Sequence, residues 1–439
     1  MTDTRPSSKR EGPFWPVTAV ERAAGTPLQG DLDCDAAIVG AGFTGLRAAL
    51  RLAEAGAKVA VFEAGEVGHG ASGRSGGQVN PMLPVPRPEN LLKAVGRTYF
   101  ERLAEVSLGS ADELFDLVRR YQIDCQARQN GWLRVDHSRG ARERARAAAL
   151  EWNRFGAGFE FVDGDQVRRM TGSPVFDSAT LAPRGGAVQP LSLVRGLARA
   201  AESAGARIYV RSPVTELRRV GERWAMTAGG TAGRHRVAAE KVILATNGYT
   251  DGLLAGLKQS ILPLTPVQIA TRPLGEEEIG PVLPGGQTIS DTRRLIMYGR
   301  REPDNRIVYG GLGFRRLFAG VGGVEWLLKD VARVFPSIRP ESWRFEWDGQ
   351  IAVTADRVPH FHEPAPGLLA GLGYNGRGVA MSLVMGRVLA ERALGAEAAS
   401  LPFPVSPVRA MPFRGIQFFG HNPAMRLMRL MDSAEFRAR

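Results

Sequence analysis

Apolar residues change their period along this chain, and the changes mark its elements. Ala36 to Val39 form a short unbroken apolar run, as in a buried strand. Leu46, Ala49, Leu50 and Ala53 then recur at helical spacing. Gly56 stands where a C-cap is expected, and a second run, Val59 to Phe62, ends at Glu63. "KVILATNGYT" (Lys241 to Thr250) reads as a buried strand entering a small-residue turn. Gly367 to Leu394 read as strand, Gly-rich turn and long helix, the helix starting near Gly376 to Gly378. "GWLRV" (Gly131 to Val135), "VQIATRPL" (Val267 to Leu274) and "NRIVYGGLGF" (Asn305 to Phe314) have strand-like composition between turn-like flanks. "VEWLLKDVARVFPSI" predicts a helix that stops near Pro336. No internal repeat or low-complexity block interrupts this alternation.

The glycines placed within this pattern carry the chemistry. Gly40-x-Gly42-x-x-Gly45 lies between the first strand and the first helix. Gly40 allows a tight turn, Gly42 lets backbone amides approach a pyrophosphate, and Gly45 lets helix and strand pack closely. Glu63 follows Gly45 by 18 residues, where a carboxylate accepts hydrogen bonds from a ribose diol and disfavours a 2′-phosphate. The unit predicts a dinucleotide, and NADP is disfavoured. The next stretch, "GHGASGRSGGQVN" (Gly68 to Asn80), can bring backbone against a planar ring, which favours FAD over NAD. Candidate cofactor contacts are Gly40, Ala41, Gly42, Thr44, Gly45, Glu63 and Ala64 in the fingerprint, and Ser72, Ser75, Gly76, Gly77 and Gln78 in the loop. Ala245, Thr246 and Asn247 follow from the later strand. Gly373, Tyr374, Gly376, Arg377, Gly378, Val379 and Ala380 follow from the second glycine turn, whose helix N-terminus could face the anionic edge of a reduced flavin. Arg74 lies either beside the ring or on the surface.

Length and composition narrow the field. The 439 residues suggest two to three domains or two interleaved ones, with ordinary apolar (44%) and charged (23%) fractions. The formal charge of +12 admits an RNA partner or anionic small molecules. The arginines are dispersed, however, and Arg139 to Arg146 read as a solvated helix face, so nucleic acid is disfavoured. Two cysteines, Cys34 and Cys125, give no CxxC, which excludes a disulfide reductase. His360 and His362 alternate with no third ligand in reach, so no metal is expected. No secretory pattern or membrane-spanning run is seen, and the cytoplasm is the expected compartment.

"GASGRSGGQV" (Gly70 to Val79), "WDGQIAVTADRVPHF" (Trp347 to Phe361) and "GYNGRGVAM" (Gly373 to Met381) together resemble the D-amino-acid oxidase-like, or glycine/sarcosine oxidase-like, family of FAD-dependent amine oxidoreductases. Within it they are similar to the gamma-glutamylputrescine oxidoreductase branch. The resemblance runs from about Phe14 to the C-terminus. It implies an α/β fold: a doubly wound, discontinuous Rossmann-type FAD-binding domain and a mostly antiparallel substrate sheet flanked by helices. The expected FAD segments are 31–82, 172–260 and 345–400, and the substrate segments 83–171 and 261–344. Residues 1–30 would form an arm and 401–439 a tail. "GAVQPLSLVRGLARAAESAGARIYVRSPVTEL" (Gly186 to Leu217) looks like the family's helix and strand toward the adenosine, with Val214 presenting backbone to the adenine.

The resemblance also implies the reaction, in which a small amine's C–N bond is oxidised to an imine by hydride transfer to flavin N5, then hydrolysed to an aldehyde or keto acid. A gamma-glutamylputrescine-like polyamine derivative is the first expectation, and a secondary amino acid of the pipecolate or sarcosine type the second. A flavin-bearing RNA module is the alternative from another class. Electrons would pass to oxygen or to an electron carrier. The family directs attention to Arg293 to Gly311. There Tyr298 and Arg300, two apart, share a strand face, and Arg306 falls near a lysine that assists oxygen reaction in relatives. Arg74, Tyr298, Arg300 and Arg306 are the candidate catalytic and substrate-contacting residues. No cysteine stands between Gly349 and Asp356, where relatives tether the flavin, so non-covalent FAD is expected. Ala380 replaces a lysine of those relatives. The proline-punctuated, basic, Met/Leu-rich tail is expected to dock on its own core, cover a partner or lie on a membrane surface.

Overall fold

The computed structural model describes residues 10–230, 233–315 and 321–437; residues 1–9 of the expected arm and 438–439 of the tail lie outside them. One sheet runs His360–Ala365, Leu368–Leu372, Gly233–Leu244, Leu32–Val39, Val59–Phe62, Arg207–Tyr209. From Leu368–Leu372 to Arg207–Tyr209 every pairing is parallel. Parallel strands need both faces covered, and alternate residues of the first strand supply two cores. Ala36 and Ile38 join the helix-side cluster, while Ala37 and Val39 join Trp224 and Met226 on the other face. The helices Phe43–Glu54 and Gly378–Ala393 pack together on the first side. They pack tightly at Gly386, where a side chain would strike the Thr44 carbonyl. Val214–Val220 and Arg223–Gly230 extend the sheet as an antiparallel arm from Gly233–Leu244.

The second sheet runs Trp343–Asp348, Pro266–Thr271, Ile307–Leu312, Met297–Arg301, Thr288–Asp291, Trp132–Val135, Ser178–Ala182, Glu160–Asp163. Only Thr288–Asp291 beside Trp132–Val135 is parallel. The helix Val324–Val334 covers one face through Leu327 and Val331, against Ile269 and Tyr309. Two expected boundaries move. Ser178–Ala182 pairs with Trp132–Val135, so it belongs to this sheet and not to a cofactor segment beginning at 172. Trp343–Asp348 pairs with Pro266–Thr271 and carries the same sheet past 345. In both cases the small or aromatic residues were needed to fill a core that long-range pairing decides.

In their described residues, neither terminal segment is a free appendage. Phe14 and Trp15 are fully buried, and their rings contact each other and Trp347. The tail docks: Met425 and Phe436 of the helix Arg414–Arg437 are buried, and Asp432 hydrogen-bonds the Arg294–Leu295 turn. No described helix is long and apolar enough to cross a membrane. Arg142 and Arg146 of the helix Arg139–Asn153 ion-pair with Asp163 and present no stripe of free charge. Among the described residues no group of three or more His, Cys, Asp and Glu could hold a metal.

His362 is buried in the strand His360–Ala365, its Nδ1 donating to the Ser406 carbonyl at 2.7 Å. Burial pushes its imidazolium down to about 4 from an ordinary 6.5. The fold therefore refuses a proton that the unfolded chain accepts. Stability from this group is complete above pH 6.5 and is lost as pH falls toward 4, by up to about 3 kcal/mol. In urea titrations between these limits, His362→Gln is expected to flatten the acid limb relative to the parent. Parallel limbs for the two proteins would contradict it.

Candidate active site

The C-terminal ends of the parallel strands open into a cavity of ≈ 1330 Å³ that reaches the second sheet. Ligands of doubly wound sheets bind at this edge. The volume exceeds the roughly 300–1,000 Å³ of an ordinary small-ligand pocket, leaving room for a dinucleotide and a second molecule. The fingerprint forms one wall. Gly40 has φ +108°, and a Cβ there would lie 2.9 Å from the Ala245 carbonyl. A Cβ on Gly42 would lie 2.8 Å from the Ser72 Oγ, which accepts from the Phe43 amide. Gly42 caps the helix with extended backbone and no side-chain cap, which leaves first-turn amides for an anion. The Glu63 carboxylate accepts from the Ala41 and Gly65 amides, each at 2.9 Å, and is thereby aimed across the end of its strand. Thr44 Oγ1 meets the Tyr374 hydroxyl at 2.6 Å, tying the two glycine turns together.

Most expected cofactor positions line this cavity: Ala64, Ser72, Ser75, Gly76, Gly77 and Gln78, then Val214, Ala245, Thr246 and Asn247, and Tyr374, Gly376, Arg377, Gly378 and Val379. Three do not reach the wall. Gly45 is closed off under the Gly40 carbonyl, Gly373 is held by Asn247 behind the turn, and Ala380 is buried in the helix core. The helix Gly378–Ala393 starts at the wall with no side-chain cap on Arg377. The buried Ser382 Oγ and Gln268 Oε1, both on the wall, have no partner among the described residues. Uncapped amides, glycine cradles and orphaned polar atoms together fit a bound dinucleotide.

The loop after Glu63 is held from behind. Ser75 and Arg74 offer their carbonyls to the indole N–H groups of Trp15 (2.8 Å) and Trp347 (2.9 Å). The Arg74 guanidinium lines the cavity but donates to the His69 and Asp348 carbonyls, so it secures the loop. Tyr298 and Arg300 do share a face, under Gly76 and Gly77, yet only Tyr298 reaches the cavity. Its phenol has no hydrogen-bond partner among the described residues, and burial raises its pKa, keeping the proton on. Arg300 is corrected. It is 1% exposed, grips Glu302 with both arms of its fork, and donates to the Gly76, Gly77 and Val188 carbonyls at 3.1, 2.9 and 2.7 Å. It is a girder for the loop and does not line the cavity. Arg306 is also corrected. It pairs with Asp304 at 3.0 Å, lies against Phe14 and Phe345, and stands outside the cavity wall.

The residue that pattern reading missed is Arg134. It lies in Trp132–Val135, between apolar neighbours, and lines the cavity. It has no hydrogen bond or ion pair among the described residues. The nearby carboxylates are engaged elsewhere, Asp136 with Ser178 and Asp291 with Arg293. Burial is the first cause lowering its pKa. Arg377 stands with it, donating to the Leu83 carbonyl at 2.9 Å and lying over the Trp132 ring at 5.0 Å. Burial, and then the Arg134 charge, push the Arg377 guanidinium down to about 9. Two partly desolvated cations with no ion-paired carboxylate among the described residues are costly, and an anionic group entering the cavity would offset that cost. The signal was present as a lone charge inside the apolar strand "GWLRV".

This architecture agrees with comparisons across known proteins. The family described as FAD dependent oxidoreductase (DAO) matches residues 35–392. The gamma-glutamylputrescine oxidoreductase of Escherichia coli is 30% identical over 417 residues, covering 91% of this chain and 95% of that protein. A probable oxidoreductase, OrdL, of Haemophilus influenzae is 31% identical over 399 residues, covering 89% and 87%. The crystal structure of glycine oxidase from Geobacillus kaustophilus superposes with a TM-score of 0.69 at 24% identity, covering 85% of this chain and 99% of that one. FAD is thus the cofactor for which the glycine cradles are built, and the chain belongs to the DAO family of FAD-dependent oxidoreductases.

Proposed function

We propose that this protein oxidises the C–N bond of a small amine that also carries a carboxylate, of the gamma-glutamylputrescine type, to an imine that water hydrolyses to an aldehyde. The observation that carries this reading is the pair Arg134 and Arg377, two half-buried guanidiniums in the wall of the FAD cavity that form no ion pair with a carboxylate among the described residues. Their planar forks suit carboxylate oxygens. FAD, when bound, supplies the two-electron acceptor for the hydride leaving the amine's α-carbon. The fingerprint, with Glu63, and the loop held by Arg300 would fix its position. Arg134 and Arg377 would orient the substrate by its carboxylate, and the protonated Tyr298 would donate a hydrogen bond to a substrate heteroatom. The apolar wall of Met82, Leu262, Leu264 and Met425 would exclude water from the reacting carbon. Electrons would leave to oxygen or to an electron carrier. Two buried, unpaired cysteines favour the cytoplasm as its compartment.

Anaerobic mixing with a panel of amines tests this reading. Bleaching of the flavin's visible band by gamma-glutamylputrescine, and not by putrescine, is expected. Bleaching by neither would remove the polyamine branch, and bleaching by pipecolate or sarcosine instead would transfer the site to secondary amino acids. No bleaching by any amine would overturn the amine reading. Reoxidation by air with release of peroxide would identify oxygen as acceptor.

A further inference from the structure

The C-terminal helix Arg414–Arg437 has two functional faces. Its inner face is fixed. Asp432 accepts from the Arg294 and Leu295 amides and the Arg294 guanidinium, Glu435 pairs with Arg294 and His137, and the Arg333 guanidinium stacks on the Phe436 ring at 3.9 Å. Ala424, Met425 and Met428 of the same helix line the cavity. The helix thus closes one side of the active site and cannot turn its outer face inward without losing these bonds.

That outer face is apolar. Leu427, Leu430 and Met431 are 60%, 69% and 43% exposed, at i, i+3 and i+4, and share one side of the helix. With Ala434 they make a stripe about 100° wide. Arg426 borders it without a carboxylate partner among the described residues, and Arg429 lies against Trp326. The only two acids of the helix, Asp432 and Glu435, are those bound on the inner side. Phe413, just before the helix, is also 76% exposed.

We propose that this stripe rests on an anionic lipid surface, so that the helix closing the cavity is also the helix that docks the enzyme on a membrane. An occupant must accept aliphatic side chains and neutralise arginine, and a bilayer with acidic headgroups does both. A second copy of this chain meets only the first need. A twofold contact would set Arg426 against its own equivalent in a protein of net charge +12. Lipid binding so placed would act on the cavity wall directly, because Met428 belongs to the wall and Leu427 to the stripe.

Co-sedimentation of the FAD-loaded protein with vesicles tests the proposal. Vesicles of phosphatidylcholine with about 30% phosphatidylglycerol are expected to retain the protein about tenfold better than phosphatidylcholine alone, with retention falling as salt rises. The triple variant Leu427→Ser, Leu430→Ser, Met431→Ser is expected to lose this retention at least tenfold, by the lost apolar area. Its flavin content and its flavin reduction without vesicles should match the parent, since none of the three side chains touches the cavity. Arg426→Glu should weaken retention most at low salt. Equal retention of parent and triple variant, or no retention of the parent, would overturn the proposal. A parent that is dimeric by light scattering and becomes monomeric in the triple variant would assign the stripe to a second copy instead.

Discussion

Replacing Arg134 by leucine is expected to lower kcat/KM for a carboxylated amine by about 10³-fold, ~4 kcal/mol of lost binding to a desolvated carboxylate. Turnover of a small amine without a carboxylate should change by less than about threefold, because the lost contact is to a part of the substrate remote from the reacting carbon. The same variant is expected to melt no lower than the parent. Arg134 has no hydrogen bond among the described residues to lose, and burial already works against its charge. Activity and stability are thus predicted to move apart, as for a buried cation kept for a ligand. Thermal unfolding together with kinetics on the two substrates decides it. A lower melting temperature with equal loss on both substrates would return Arg134 to a structural role.

Gly45→Ala carries the largest expected effect on the cofactor. Its Cβ would collide with the Gly40 carbonyl and sit 3.2 Å from the Ile38 Cγ2, so the helix Phe43–Glu54 must move off its strand. Such overpacking against backbone costs on the order of 3 kcal/mol or more. It also displaces the helix N-terminus that would face the pyrophosphate. Purified Gly45→Ala is expected to carry less than about a tenth of the parent's flavin by the ratio of visible to ultraviolet absorbance, a loss consistent with that cost. Full flavin content would show that the strand and helix separate at little cost.

Where the chemistry is local, the sequence was legible. Gly40, Gly42 and Gly45 sit between two apolar runs within one stretch of chain, and the strand and helix they join form there. Lys241 to Leu244 was readable as a buried strand from its apolar run, and it pairs parallel with the first. What was not legible depends on distant partners. Arg300 and Tyr298 occupy the same strand face, and nothing in their spacing says that Glu302 and three loop carbonyls capture one of them. Arg306 was placed by analogy with relatives, and its ring neighbours, Phe14 and Phe345, come from segments far along the chain. Arg134 went unnoticed because a strand with one charge reads as half-exposed. Here the exposed side faces an internal cavity. The strand Ser178–Ala182 was misassigned for the same reason, since sheet membership is a property of the pairing.

The Arg300 girder has a consequence for the order in which the enzyme matures. The Gly76 carbonyl waits for a guanidinium 224 positions later in the chain, and the Trp347 indole that supports the neighbouring Arg74 carbonyl comes 273 positions after it. During synthesis the glycine fingerprint emerges early, while the floor beneath the loop comes only in the last third of the chain. A nascent chain would therefore present the dinucleotide end of the site long before the ring end is shaped. Flavin retention then reports that the second sheet has been completed, and coloured protein is assembled protein.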